Sequence, residues 1–406
     1  MLDIERIIQS FHILNKKDAK STIYLDSAAT TLKPQAMIDT LTNSYMENFA
    51  SVHRSSYHLA EDAMLEYEKA RNYIKAFFNA TEEYEVIFTN GTTEGINLIA
   101  NSYGNLLKSK DKVIVTALEH HSNYLPWKVI AHKSGAILEE IPIDNEYNID
   151  TGYIKKMNLD DAKIVALTHA SNVIGTIQPI KEMIKYFRSK GVPVLVDGAQ
   201  SSPHIRIDLD SLSPDFYVCS AHKMLGPMGI GILFIKKKFF DKIVPLKYGG
   251  GMVLSVDHMK WKEGNEKLEG GTPNSIGAFA FVTSLKFINE IGIYEIHNHT
   301  SKLVEYLTNE LSKIDRVDIY SSRDFDNNVG IVSFNVNDIH SHDVGAWLDY
   351  NNIAVRVGHH CAQPLMRSIG IESCVRASTY LYNTEADIEK LISAIKLLVE
   401  HPNYMI

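Results

Sequence analysis

In Ala354-Val355-Arg356-Val357-Gly358-His359-His360-Cys361-Ala362, one of only three cysteines in 406 residues follows two histidines and lies close to an arginine. Nearby positive charge favours a thiolate over a thiol, so Cys361 is expected to ionise readily and to act as a nucleophile. The competing account makes Cys361 a small buried hydrophobe and the histidines loop polar groups, which is how most cysteines are used. Cys219 suits that account better, since it ends the apolar run Phe216-Tyr217-Val218. So does Cys374, which precedes Val375 and Arg376. For Cys361 a second group of residues favours chemistry.

Val192-Pro193-Val194-Leu195-Val196 reads as a strand ending in Asp197-Gly198-Ala199-Gln200, which puts a carboxylate where open α/β sheets bind ligands. A further apolar run leads into Ser220-Ala221-His222-Lys223 and the turn Gly226-Pro227-Met228-Gly229-Ile230-Gly231. Asp197 and Lys223 would then open into one crevice. Pyridoxal phosphate needs a lysine for its Schiff base and an acid beside its ring nitrogen, and both are present. Asn90-Gly91-Thr92-Thr93-Glu94-Gly95 follows Val86-Ile87-Phe88 as a strand-to-helix turn. Backbone donors and the helix dipole there suit a phosphate, with Thr92, Thr93, Ser220 and His222 as further donors. An ordinary capped turn would read the same way. Glu119-His120-His121 follows Val113-Ile114-Val115, so His120 could stack on the ring or serve structure alone.

The elements that must position these groups alternate between helical and strand patterns, as in an α/β fold with a mostly parallel central sheet. Leu59 to Ala80 reads as an amphipathic helix. Ile164-Val165-Ala166-Leu167, Phe216-Tyr217-Val218 and Gly231-Ile232-Leu233-Phe234-Ile235, with the runs above, read as strands buried on both faces. Helical stretches at 284–291 and 300–314 lead to a second unit. That unit holds a strand at Val329-Gly330-Ile331-Val332-Ser333-Phe334 and a final helix capped by Thr384. The expected division is a large cofactor-binding domain, 21–284, and a smaller α+β domain, 1–20 plus 285–406, carrying the cysteine.

With 41 basic and 49 acidic residues the net charge is −8, and no block of like charges suggests a nucleic-acid surface. No apolar run has membrane-spanning length, and the first residues lack a leader-like pattern. An odd cysteine count without Cys-x-x-Cys spacing gives no disulfide or zinc framework and suits the cytoplasm.

The order of these motifs resembles fold-type I pyridoxal-phosphate enzymes of the class V aminotransferase family, and within it the SufS-type, group II cysteine desulfurases. The resemblance also runs through Tyr24-Leu25-Asp26-Ser27-Ala28-Ala29-Thr30, Ser171-Asn172-Val173-Ile174-Gly175-Thr176, Gly270-Gly271-Thr272-Pro273-Asn274 and Arg376-Ala377-Ser378. It implies conversion of L-cysteine to L-alanine with sulfur passing to Cys361 as a persulfide, for iron-sulfur cluster assembly. It further implies Lys223 as Schiff-base lysine and base, and Asp197, Gln200 and His120 around the ring. Arg376 would hold the substrate carboxylate, with Asn172 and Arg356 beside it. Thr272 would reach the phosphate of the second subunit in a homodimer, and an acceptor protein of the SufE or SufU type would receive the sulfur.

Three stretches depart from the family pattern: His53-Arg54-Ser55-Ser56-Tyr57, Asn90 before the Gly-Thr-Thr turn, and Glu269-Gly270-Gly271-Thr272-Pro273. The alternatives are a selenocysteine lyase, whose substrate's better leaving group would relieve Cys361 of its role, and another class V pyridoxal-phosphate enzyme acting on a small amino acid. A zinc site from the His-His and His-Cys pairs is a rival reading, disfavoured because adjacent histidines do not readily bind one metal. A noncatalytic binding protein on the same fold would leave Lys223 and Cys361 without a reason to occur together.

Overall fold

The apolar runs become the strands of one seven-stranded sheet. The computed structural model describes residues 2–15, 22–47, 50–52 and 57–401. After a short β1 (Ile23–Tyr24), the sheet is built from β2 (Tyr84–Thr89), β3 (Lys112–Thr116), β4 (Ile137–Ile141), β5 (Ala162–Thr168), β6 (Val194–Asp197), β7 (Phe216–Ser220) and β8 (Gly231–Lys236). Their order is β2-β8-β7-β6-β5-β3-β4, and β8 runs opposite to the other six. Successive side chains feed opposite faces. Val165 and Leu167 of β5 enter one core with Tyr67 and Ile74 of the helix His58–Phe77, while Ile164 and Ala166 enter another with Ile96, Ile99 and Trp127. Both faces of the central strands are thus covered, the reason their sequences read as unbroken apolar runs. The run at 84–89 pairs antiparallel with β8 and closes one edge.

The opposite edge strand, β4, escaped the sequence pattern. Ile137 is exposed, and Glu139 takes an ion pair from Lys112 of β3 at 3.0 Å, so a strand with one solvated border carries no continuous apolar run.

A hairpin of β9 (Val253–Ser255) and β10 (Lys260–Trp261) follows the sheet. The helix Ser275–Ile291 then gives way to Ile293–Leu311 across a 74° bend at Gly292, whose φ of 92° favours glycine. The expected boundary at 284–285 falls inside the first of these helices. Beyond them β11 (Val317–Ile319), β12 (Ile331–Val336), β13 (Ile353–Ala354), β14 (Arg356–Gly358) and β15 (Cys374–Ser378) follow. Four form an antiparallel sheet ordered β11-β12-β15-β14, and β13 pairs in parallel with β1. Phe334, Val375, Leu307, Leu348 and Leu391 share a core there with Leu25, so the segment after β1 packs with the C-terminal sheet. Thr384 caps the last helix, Glu385–Glu400, in a reciprocal bond with Asp387. No single helix among the described residues is long and apolar enough to cross a membrane.

Burial pushes the imidazoles of His120, His169, His204 and His360 down from 6.5 to about 3. Unfolding frees them to bind protons below their ordinary value, so the folded state loses stability as pH falls from 6.5 toward 3. Burial of Glu119 acts oppositely, raising its carboxyl to about 8 and favouring the folded state as pH falls from there to 4.5. Asp197, whose carboxyl burial also raises, sides with Glu119, and His222, lowered to about 4, sides with the four imidazoles, so the more numerous histidines predict a lower urea midpoint at about pH 5 than at neutrality. An equal or higher midpoint at the acid pH would contradict this.

Candidate active site

A cavity of about 530 Å³ lies where the carboxyl ends of β5, β6 and β7 face the loop after β14. That volume suits a small cofactor and substrate together. Asp197 ends β6, and Lys223 ends a single turn, Ala221–Lys223, that directly follows β7. Both line the cavity with Gln200, whose Nε2 donates to Ala28 O at 2.8 Å. Burial pushes the Lys223 amine down from 10.5 to about 8; Asp197 opposes the shift and Arg376 adds to it. A lysine so tuned is partly neutral near neutrality and can attack a carbonyl or take a proton. Burial also raises the Asp197 carboxyl, offset by the Ala199 N–H and by Lys223.

The expected phosphate cradle is the start of the helix Thr92–Gly104. Gly91 precedes it with φ 151°, and a Cβ on Gly231 would lie 2.5 Å from Gly91 Cα, so β8 meets this turn backbone to backbone. Ser220 Oγ accepts from Thr92 N at 2.8 Å and bonds Thr92 Oγ1 at 2.7 Å, tying the strand end to the helix start. Thr93 Oγ1 bonds Ser122 Oγ at 2.7 Å and stays exposed. His222 lines the same wall. His120 Nδ1 accepts from Ser122 N at 3.0 Å, so its neutral ring carries the proton on Nε2.

Cys361 lines the same cavity, exposed, at φ 55° directly after His360 at φ 50°. Two consecutive left-handed residues with side chains cost about 1–2 kcal/mol each and persist only where their surroundings hold them. Here His121 N donates to Cys361 O at 2.6 Å, Asn172 Nδ2 to His360 O at 2.8 Å and Gln363 N to His121 Nε2 at 3.2 Å. The two histidines differ from the expectation that both charge the thiol's surroundings. His360 is buried and neutral, its Nε2 on Cys374 O at 3.0 Å, and only His359 meets Cys361, its Nδ1 accepting from Cys361 N at 3.1 Å. The cations that sense Cys361 are Lys223 and Arg356. Cys219 and Cys374 are fully buried, and burial lifts their thiols to about 12 and about 11.

Arg376 is buried on β15, giving Nη1 to Asn172 O at 2.8 Å and Nη2 to Asp26 Oδ1 at 3.2 Å. Arg356 gives Nη2 to Asp26 Oδ2 at 2.7 Å and Nε to both oxygens at 3.1 Å. Nothing in the sequence says that Asp26, a carboxylate so distant in the chain, binds both arginines. The same holds for the role of Glu119. It accepts from Thr116 Oγ1, Asn123 Nδ2 and Thr168 N at 2.7, 2.6 and 2.8 Å and so fixes the turn carrying His120. His342 lines the cavity from the helix Ser341–Tyr350.

Thr272 is exposed and does not line this chain's cavity. Its turn is anchored by Glu269, which accepts from Arg71 Nη1 and Nη2 at 2.7 and 2.9 Å and from Phe88 N at 2.7 Å. At Gly270, Met252 Sδ lies 2.9 Å from the place a Cβ would take, so the sulfur fills the space beside this glycine. Asn90 donates its backbone N–H to the Glu94 side chain at the cradle's start. His53 to Ser56 lie outside the described residues, and Tyr57 beside them is exposed.

Pyridoxal phosphate fits this donor set. Lys223 forms no ion pair among the described residues, and the Asp197 carboxylate accepts one hydrogen bond, from Ala199 N, leaving capacity for a ring N–H. His222 Nδ1 is buried without a partner beside the cradle. No group of three or more His, Cys, Asp and Glu that could hold a metal occurs among the described residues.

The model of the aminotransferase class-V family matches residues 23–391. The chain belongs to that family. Class-V aminotransferases use pyridoxal phosphate, and this chain's cofactor is therefore pyridoxal phosphate. A class-V relative, a probable cysteine desulfurase of Halalkalibacterium halodurans, is 40% identical over 98% of this chain and 99% of its own length. A probable cysteine desulfurase of Staphylococcus aureus is 40% identical over 99% and 98%. Among solved structures, the apo cysteine desulfurase of Thermococcus onnurineus superposes with a TM-score of 0.93 at 37% identity, covering 98% of both chains. The Escherichia coli cysteine desulfurase CsdA, in an S-sulfonic acid form, gives 0.90 at 31% identity over 98% of this chain and 99% of its own.

Proposed function

We propose that this class-V enzyme is a SufS-type cysteine desulfurase that takes sulfur from L-cysteine, releases L-alanine and serves iron-sulfur cluster assembly. The observation carrying the reading is that an exposed cysteine, Cys361, shares one cavity with Lys223, Asp197 and Arg376. When bound, pyridoxal phosphate supplies an aldehyde to amines and an electron sink for bonds broken at the substrate's α-carbon. Lys223, Asp197, Gln200 and His120 would hold it, with Thr92, Thr93, Ser220 and His222 at its phosphate. Arg376 and Arg356, with Asn172, orient the substrate carboxylate, and Lys223 Nζ takes the α-proton. His120 holds a proton at Nε2 for exchange with the substrate. The Cys361 thiolate bonds to the substrate sulfur as the carbon–sulfur bond breaks, which leaves a persulfide on Cys361 and, after protonation of carbon, alanine.

The purified protein is expected to be yellow and to form one alanine for each cysteine consumed. A yellow protein that makes no alanine from L-cysteine would refute the substrate while sparing the cofactor.

Sulfur leaves through a docking acceptor of the SufE or SufU type, because the bonds from His121 and Asn172 keep the Cys361 backbone from swinging out. We propose a large domain, 21–284, and a small domain, 1–20 plus 285–406, joined through the helix Ser275–Ile291 that spans the boundary. The partner in a homodimer would receive Thr272 at its phosphate, since the turn is firmly anchored yet leaves Thr272 exposed. Sedimentation of a fully active monomer would disprove the shared site. A reduced nucleophile beside two other free cysteines suits the cytoplasm.

A further inference from the structure

Arg356 and Arg376 are direct cross-strand partners in the β14–β15 pairing, an arrangement in which like charges repel. Both line the cavity. Asp26 does not; it is 9% exposed and sits behind them, bonded to Arg356 by Nε and Nη2 and to Arg376 by Nη2. One carboxylate therefore stands against two guanidiniums and leaves a single net positive charge on this wall. Arg376 Nε is buried without a partner, so the wall still has an unmatched donor. Asp26 is itself held by its β-bridge to Ser378 on β15, so it keeps its place relative to both arginines.

The geometry points to Asp26 as a specificity-determining positioning residue that meters the arginine pair to one net charge and makes the wall a site for ligands with a single carboxylate. A monocarboxylate amino acid brings the wall to neutrality. A second carboxylate on the same ligand would leave an uncompensated negative charge in a confined site, which is costly. Removing the Asp26 charge gives a wall of net charge two, matched to a dicarboxylate, with Arg356 released to meet the second group. The inference rests on the proposed carboxylate role of Arg376 and Arg356.

The test compares L-alanine and L-aspartate as ligands of the holoenzyme, read by the change in cofactor absorbance, in the parent protein and in Asp26→Asn. The expected result is a shift of the affinity ratio toward aspartate by about tenfold or more, the worth of one hydrogen bond between charged groups. Asp26→Glu is expected to restore the preference for alanine, and a merely structural role would not invert the ratio. Thermal melts supply a second readout: Asp26→Asn should melt lower than the parent and regain more stability from added aspartate than the parent does. If Asp26→Asn does not fold, Arg356→Gln tests the same count, leaving Asp26 against Arg376 alone and weakening alanine by a similar factor. A ratio unchanged in Asp26→Asn, or alanine binding unchanged in Arg356→Gln, overturns the inference. Failure of either amino acid to perturb the parent's absorbance would instead refute the underlying carboxylate site.

Discussion

Lys223→Ala is expected to lower L-cysteine turnover by about 10⁴-fold, the upper range for loss of a positioned proton-transfer group. Two functions disappear with one side chain, the covalent hold on the cofactor and the base at the α-carbon. The substitution should not unfold the chain. Lys223 ends a single turn, makes no ion pair among the described residues and is held away from its ordinary protonation by burial, so its charge costs the folded state stability. Borohydride reduction of the parent should fix the pyridoxyl group on Lys223, and no equivalent label should form in the variant. Small primary amines in the assay should recover part of the lost proton transfer. Labelling at another lysine, or near-parental turnover in the variant, would move the cofactor elsewhere.

Cys361→Ser is expected to cut desulfuration by about three orders of magnitude or more, the scale on which removal of a nucleophile acts. It should leave cofactor binding intact, because Cys361 holds its loop through backbone atoms. A hydroxyl is a poor nucleophile toward sulfur and cannot form a persulfide. Cys219→Ala and Cys374→Ala address a different property. Both side chains are fully buried in packed cores, so their removal should lower stability by about 1–3 kcal/mol while persulfide formation survives.

The central sheet was legible because its strands are covered on both faces, and Ile164 to Leu167 or Gly231 to Ile235 could hardly read otherwise. β4 was not, since its exposed border admits Glu139 and Glu140. Chemistry-bearing residues at strand ends, Asp197 and Lys223, were readable from position alone, and the cavity gathers them with Thr92, Thr93, Ser220, His222, His120, Asn172, Arg356 and Arg376. What the sequence concealed are the groups that act at a distance in the chain. Asp26 reaches β14 and β15 through a fold-dependent bridge, and Glu119 joins the ends of β3 and β5. The reading of His360 failed for a related reason: adjacency in sequence implied a charged neighbour for Cys361, whereas burial holds this imidazole neutral and turns it to Cys374 O.

The central claim is that sulfur from L-cysteine passes to Cys361. Mass spectrometry of the intact holoenzyme after brief exposure to L-cysteine, followed by peptide mapping, tests it most directly. One added sulfur confined to the peptide containing Cys361, and absent from Cys361→Ser, is the predicted result. Sulfur on Cys219 or Cys374, or an adduct that persists in Cys361→Ser, would contradict it.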